Sequence, residues 1–102
     1  MSYTCILHPK TEEDYIDAYD WYESKQEGLG EKFIASVRNK IQEISRNPQA
    51  FSSKSNVSFR EAIVDDFPFL IVYKFNKEKK EIFIGAIHHM KKHPSKKYRN
   101  QI

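Results

Sequence analysis

The 102-residue chain has a single cysteine, Cys5, so no internal disulfide can form. No apolar run approaches the roughly 20 residues that a membrane-spanning helix needs, and none of the chain reads as a membrane segment. The start carries no basic stretch followed by an apolar core, so no secretory leader is expected and a cytoplasmic location is. Internal repeats and low-complexity tracts are absent as well. The histidines and the lone cysteine do not fall at any metal-motif spacing, so neither a metal nor another cofactor is expected.

Apolar residues make up 39% of the chain, aromatics 14% and charged residues 30%, a mix suited to one folded domain over residues 1–102. The net charge of +3 hides an asymmetry. Residues 1–50 hold 6 Lys/Arg against 9 Asp/Glu, and residues 51–102 hold 11 against 5, giving −3 and +6. A domain divided in this way often turns its basic part toward a polyanion or an acidic protein.

Tyr3 to His8 reads as a short strand closed by Pro9, with Cys5 as a small buried hydrophobe. Thr11 is the expected N-cap of a helix, with Glu12, Glu13 and Asp14 in its first turn. That helix runs to about Ser24, and Tyr15, Ala18, Tyr19, Trp21 and Tyr22 supply a stripe expected to be core. Gly28-Leu29-Gly30 separates it from a second helix whose Phe33, Ile34, Val37, Ile41 and Ile44 recur at steps of three and four. Asn47-Pro48 ends this helix, because a residue before proline resists helical geometry. Phe51 to Ser58 reads as loop. Three strands follow, at Phe59–Val64, Phe69–Phe75 and Glu81–His88, with turns at Asp65-Asp66 and Asn76–Lys80. Phe69–Phe75 is apolar on both sides and should be central. The order β-α-α-β-β-β predicts an α+β domain in which an antiparallel helical hairpin packs on a small, mostly antiparallel sheet. His89 to Ile102 reads as a basic tail or short helical turn.

Several side chains carry chemistry. Arg60 suits a phosphate or a carboxylate, which arginine grips bidentately. His88 and His89 are adjacent on a strand and must point to opposite faces, so only one of them can join a given site. Either imidazole titrates near neutrality and suits acid–base work. Lys91, Lys92, Lys96, Lys97 and Arg99 place five cations in nine residues with no acid among them, and Tyr98 lies in the same run. Such a run can hold a phosphate backbone, with Tyr98 stacking on a base.

Four segments together resemble the RelE/ParE family of type II toxins: ILHPKTEEDYIDAYDWYE, LGEKFIASVRNKIQEISRNPQAF, FREAIVDDFPFLIVYKF and IFIGAIHHMKKHPSKKYR. The resemblance spans nearly the whole chain and implies the fold just described, in a toxin of the plasmid-stabilisation kind that arrests bacterial growth. It also implies a cognate antitoxin, a DNA-binding dimer whose partly disordered arm wraps the toxin. Members similar to RelE cut messenger RNA on the ribosome without a metal, and members similar to ParE poison DNA gyrase. In the RelE case Arg60, His88 and Tyr98 are the candidate catalytic groups. In either case Arg60, His89, Lys91, Lys92, Lys96, Lys97 and Arg99 are the candidates for contacting the target or a nucleic acid. Tyr73, which recurs at this place in the family, is expected in the core or the wall of a site. Two departures favour the ParE side. The turn after the arginine strand is acidic, Asp65-Asp66, and the serine-rich loop before it holds only Lys54. The expected function is therefore gyrase inhibition, with a ribosome-dependent endoribonuclease and a non-toxic antitoxin-binding remnant as alternatives. Whether the protein is an enzyme stays open at this point.

Overall fold

The first strand and the last lie side by side, although nearly the whole chain separates them. In the computed structural model, which describes residues 3–53, 58–92 and 97–99, β1 (Thr4–Leu7) runs parallel to β5 (Glu81–His89), with Cys5 opposite Ile82. β5 pairs antiparallel with β4 (Phe69–Asn76), β4 with β3 (Arg60–Ile63), and β3 with the two-residue β2 (Ser52–Ser53). The sheet order is β1-β5-β4-β3-β2, so β4 holds the centre, as its two apolar faces predict.

Helix α1 (Pro9–Lys25) begins three residues earlier than an N-cap at Thr11 predicts, with His8 as the N-cap. Pro9 suits the first helical turn because its missing N–H needs no partner there. The His8 side chain caps the turn, its Nδ1 accepting from the Lys10 N–H at 3.0 Å. Thr11 is freed for the interior, where its hydroxyl donates to the Ile84 carbonyl at 3.0 Å and ties α1 to β5. The predicted aromatic stripe is narrower in the structure. Ala18 and Tyr22 are buried, but Trp21 is 57% exposed, and Ile16, elsewhere on the helix, 59%. Trp21 lies on the shoulder of the helix, about 100° round from Tyr22.

Gly28 adopts φ 86°, which glycine tolerates without strain, and turns the chain into α2 (Leu29–Arg46). The Glu23 carboxylate accepts the N–H groups of Gly28 and Gly30, both at 2.9 Å, so α1 supplies the cap of α2. Phe33, Val37 and Ile44 face the sheet and are fully buried. Their cluster with Tyr22, Phe69, Ile71, Tyr73, Ile82 and Ile84 is the main core, between the hairpin and one face of the sheet.

The segment after α2 is not plain loop. It forms a 3-10 turn (Pro48–Ala50) and then β2. The buried Tyr73 and the half-buried Arg60 hold it in place. Tyr73 donates to the Pro48 carbonyl at 2.5 Å, and the Arg60 guanidinium donates to the carbonyls of Gln49 and Phe51 at 3.2 and 2.8 Å. Burial pushes the Tyr73 phenol up to about 12. Among the described residues no helix is long and apolar enough to cross a membrane.

Candidate functional site

Strand alternation divides the candidate residues between the two faces of the sheet. Arg60 pairs in register with Tyr73 and stacks on Phe75, its guanidinium carbon 5.5 Å from the ring centre, so it belongs to the helix side. Glu61, next in the strand, pairs with Val72 and faces the other side. There a second apolar cluster forms from Phe59, Val72, Phe83 and Ala86. His88 also lies on this second face, opposite Leu70, while His89 lies opposite Phe69 on the first, with its ring 4.9 Å from that of Phe69. The expected opposition of the two histidines is what the register shows.

Residues 97–99 lie over the second face. The Tyr98 ring lies 5.4 Å from Phe59 and tilted by 32°, and its hydroxyl donates to Glu61 Oε2 at 2.5 Å. Lys97 Nζ reaches the same oxygen at 2.8 Å. The Glu61 side chain is only 6% exposed, so these contacts compensate a carboxylate that water barely reaches. Arg99 grips Asp14 with both terminal nitrogens, at 2.7 and 3.1 Å, and donates also to the Gly85 carbonyl at 3.1 Å. A β-carbon at Gly85 would stand 3.1 Å from the Arg99 carbonyl oxygen. Glycine is what lets the Arg99 backbone come so close to β5. Asp14 also accepts the Ile87 N–H at 3.1 Å, so one carboxylate links α1, β5 and the chain end.

The electrostatics follow from this packing. Burial raises the Tyr98 phenol, and the hydrogen bond to Glu61 raises it further. Burial opposes the Lys97 ammonium, but the Glu61 bond and charge outweigh it and the lysine is raised. His88 is lowered, first by burial, although its Nε2 donates to the Lys92 carbonyl at 3.2 Å and partly offsets that; the Lys97 charge lowers it further.

The candidates therefore do not gather at one place. Tyr98, Lys97 and His88 share the second face, whereas Arg60 is anchored by backbone carbonyls on the first. His89, Lys91 and Lys92 border a cleft of about 440 Å³ against α1. Lys96 lies outside the described residues, as does Lys54. The basic run does not make one patch, because Lys97 and Arg99 are spent on Glu61 and Asp14 while Lys91 and Lys92 are exposed. Glu61 and Asp14 are the partners that the sequence did not reveal. Glu61 left one trace, an acid alone inside the apolar text Phe59–Val64. Asp14 was concealed among first-turn acids, which the helix dipole already explains.

Comparison with known proteins adds three findings. The chain matches no curated protein. A solved structure described as the chromosomal ParDE toxin–antitoxin system from P. aeruginosa superposes with a TM-score of 0.73 at 19% identity, covering 88% of this chain and 98% of that one. At that identity the likeness speaks for the fold. The family described as ParE toxin of the type II toxin–antitoxin system parDE matches over residues 5–94, nearly the whole length. A match so extended includes both helices and all five strands, and this chain belongs to the ParE toxin family of type II toxin–antitoxin systems.

Proposed function

We propose that this ParE-family toxin stops growth by binding DNA gyrase, without catalysing a reaction itself, and that a cognate antitoxin neutralises it. Family membership implies the antitoxin partner. The observation that carries the rest is the separation of Arg60 from His88 and Tyr98. Cutting RNA through its 2′-hydroxyl needs a base, an acid and a cation around one phosphate. Here the arginine donates to the Gln49 and Phe51 carbonyls on the helix side. The tyrosine and histidine lie across the sheet, and the carboxylate that accepts from the tyrosine is closed off by Lys97. That arrangement suits a surface that binds better than a centre that turns over.

The antitoxin supplies apolar anchors for exposed hydrophobic groups such as Ile16, Ile63 and Met90, with rim charges steering the encounter. The deciding experiment is controlled expression with and without the adjacent small gene product, followed in parallel for gyrase-linked DNA breaks and for messenger RNA cleavage. The expected result is growth arrest with DNA breaks and intact transcripts, relieved by a co-purifying partner. Cut transcripts without DNA breaks would replace this reading with the ribosome-dependent endoribonuclease. Unimpaired growth would leave a non-toxic remnant.

A further inference from the structure

We propose that the cleft between α1 and the end of β5 binds a nucleotide, its base against Trp21, the base edge on Asp17 and the phosphate on Lys91 and Lys92, with guanine preferred. This inference is independent of the gyrase reading.

The cleft holds about 440 Å³, within the roughly 300–1,000 Å³ of small-molecule sites, which pair a mainly apolar lining with a few polar groups. Asp14, Asp17, Ala18 and Trp21 make one wall at helical steps of three, one and three, and so share one face of α1. Tyr22 and Phe69 extend the aromatic surface. Trp21 is the chain's only tryptophan and is 57% exposed, a large aromatic that folding leaves half in water. Aromatic side chains of this kind stack bases of any identity.

The polar groups are segregated. Asp14 is occupied by Arg99 and the Ile87 N–H, so Asp17 is the acceptor left on the helical wall. An ionised carboxylate only accepts hydrogen bonds. Guanine sets an N1–H and an N2 amine side by side on one edge, which matches a carboxylate better than the single amine of adenine or cytosine. Across the cleft, Lys91 and Lys92 are in no ion pair among the described residues. Their turn is fixed by Met90 N–H to Pro68 O at 2.9 Å and Lys92 N–H to His89 O at 3.0 Å. His89 Nδ1 accepts the Lys91 N–H at 3.0 Å, which places the ring proton on Nε2 as a further donor.

A flat body, a donor edge and an anionic end are what this lining complements. An extended peptide adding to a sheet needs an open strand edge. Where β5 borders this cleft, β4 pairs one side of it; on the other side β1 reaches only to Ile84, and beyond it Arg99 and Asp14 take the Gly85 carbonyl and the Ile87 N–H.

The base and phosphate can come from a free nucleotide or from a single-stranded RNA. Tryptophan fluorescence of the purified full chain, corrected for nucleotide absorbance and backed by calorimetry, is titrated with GMP, guanosine, AMP, UMP and a short 5′-phosphorylated RNA. GMP is expected to quench saturably and more tightly than AMP or UMP. Guanosine is expected to bind about tenfold more weakly, the loss of one charge-assisted contact. The Lys91→Ala/Lys92→Ala pair should reduce GMP to the level of guanosine, and Asp17→Asn should abolish the preference for guanine. All three positions are exposed, and circular dichroism checks the fold of each variant. Saturation by the RNA but not by mononucleotides supports the site with a strand as its source. The proposal is overturned if neither GMP nor the RNA saturates, if only an apolar peptide does, or if the variants bind GMP as tightly as the parent.

Discussion

Replacing Glu61 by glutamine tests whether the chain end is held to the sheet by charge. The substitution keeps the shape and an oxygen that still accepts from Tyr98, but removes the charge facing Lys97. If Lys97 had to stay where it is, the cost would approach the roughly 3–5 kcal/mol of a buried charge deprived of its partner. The lysine side chain is 15% exposed and ends a flexible stem, so it can turn into water instead. The expected loss is then the difference between a charge-assisted and a neutral hydrogen bond, about 1–2 kcal/mol. In a domain of this size that lowers Tm by roughly 4–8 °C per kcal/mol. Urea unfolding of Glu61→Gln, Lys97→Met and the double variant completes a cycle. Each single change removes the ion pair while keeping one of its charges and the double removes both charges, so the double should be less destabilised than the sum by about 1 kcal/mol, beyond the roughly 0.3–0.5 kcal/mol by which independent sites depart from additivity. Additive effects would refute the reasoning.

Arg99→Ala removes the bidentate grip on Asp14 and should speed amide hydrogen exchange at residues 97–99 while leaving α2 unchanged; unaltered exchange there would count against the clamp. His88 is held below its ordinary 6.5 by burial, so as pH falls the unfolded chain takes up this proton first. Stability is complete above about pH 6.5, declines below it until the folded ring protonates too, and His88→Gln should flatten that part of the Tm–pH curve. Tyr73→Phe loses the bond to the Pro48 carbonyl, about 1 kcal/mol by denaturant unfolding, and ultraviolet titration should lose a tyrosine that ionises only at about 12. Phe33→Ala opens a void in a fully buried position and should cost about 3–5 kcal/mol in the same assay.

Periodicity carried most of the fold. The step pattern of α2 left one choice of buried face, and the two-sided apolar text of Phe69–Phe75 put that strand in the centre. What escaped was settled by partners far away in sequence. Thr11 has the chemistry of a cap, but the sheet needed its hydroxyl more, and His8 caps instead. Trp21 reads as core from the aromatic stripe at helical spacing, yet its angular place on α1 leaves it over a cleft. For the candidate site, alternation alone separates His88 from His89 and Arg60 from Glu61. It does not say which face the chain end will cover. That depends on Gly85, whose missing β-carbon makes room for the Arg99 backbone, and on Asp14, 85 residues away from Arg99.

The charge asymmetry acquires a different meaning once its members are placed. A basic half of the chain suggests a surface that tracks a phosphate backbone, and such binding draws on many unpaired cations along one line. At the chain end Lys97 and Arg99 instead cancel Glu61 and Asp14 inside the fold. The exposed cations of the β4–β5 turn, Lys77, Lys79 and Lys80, lie at the opposite end of β5 from Lys91 and Lys92. At about 3.3 Å per residue the nine residues of β5 set these two groups on the order of 30 Å apart. Nearly four Debye lengths at physiological salt separate them, at about 8 Å each, so they act as two small independent fields. One of them faces the carboxylates of α1 across a cleft. Fields this local select a partner by its particular pattern of charge, as a protein surface or a single nucleotide presents it, and give long duplex DNA little to hold. For a toxin proposed to act on gyrase, that favours contact with the enzyme over contact with its DNA.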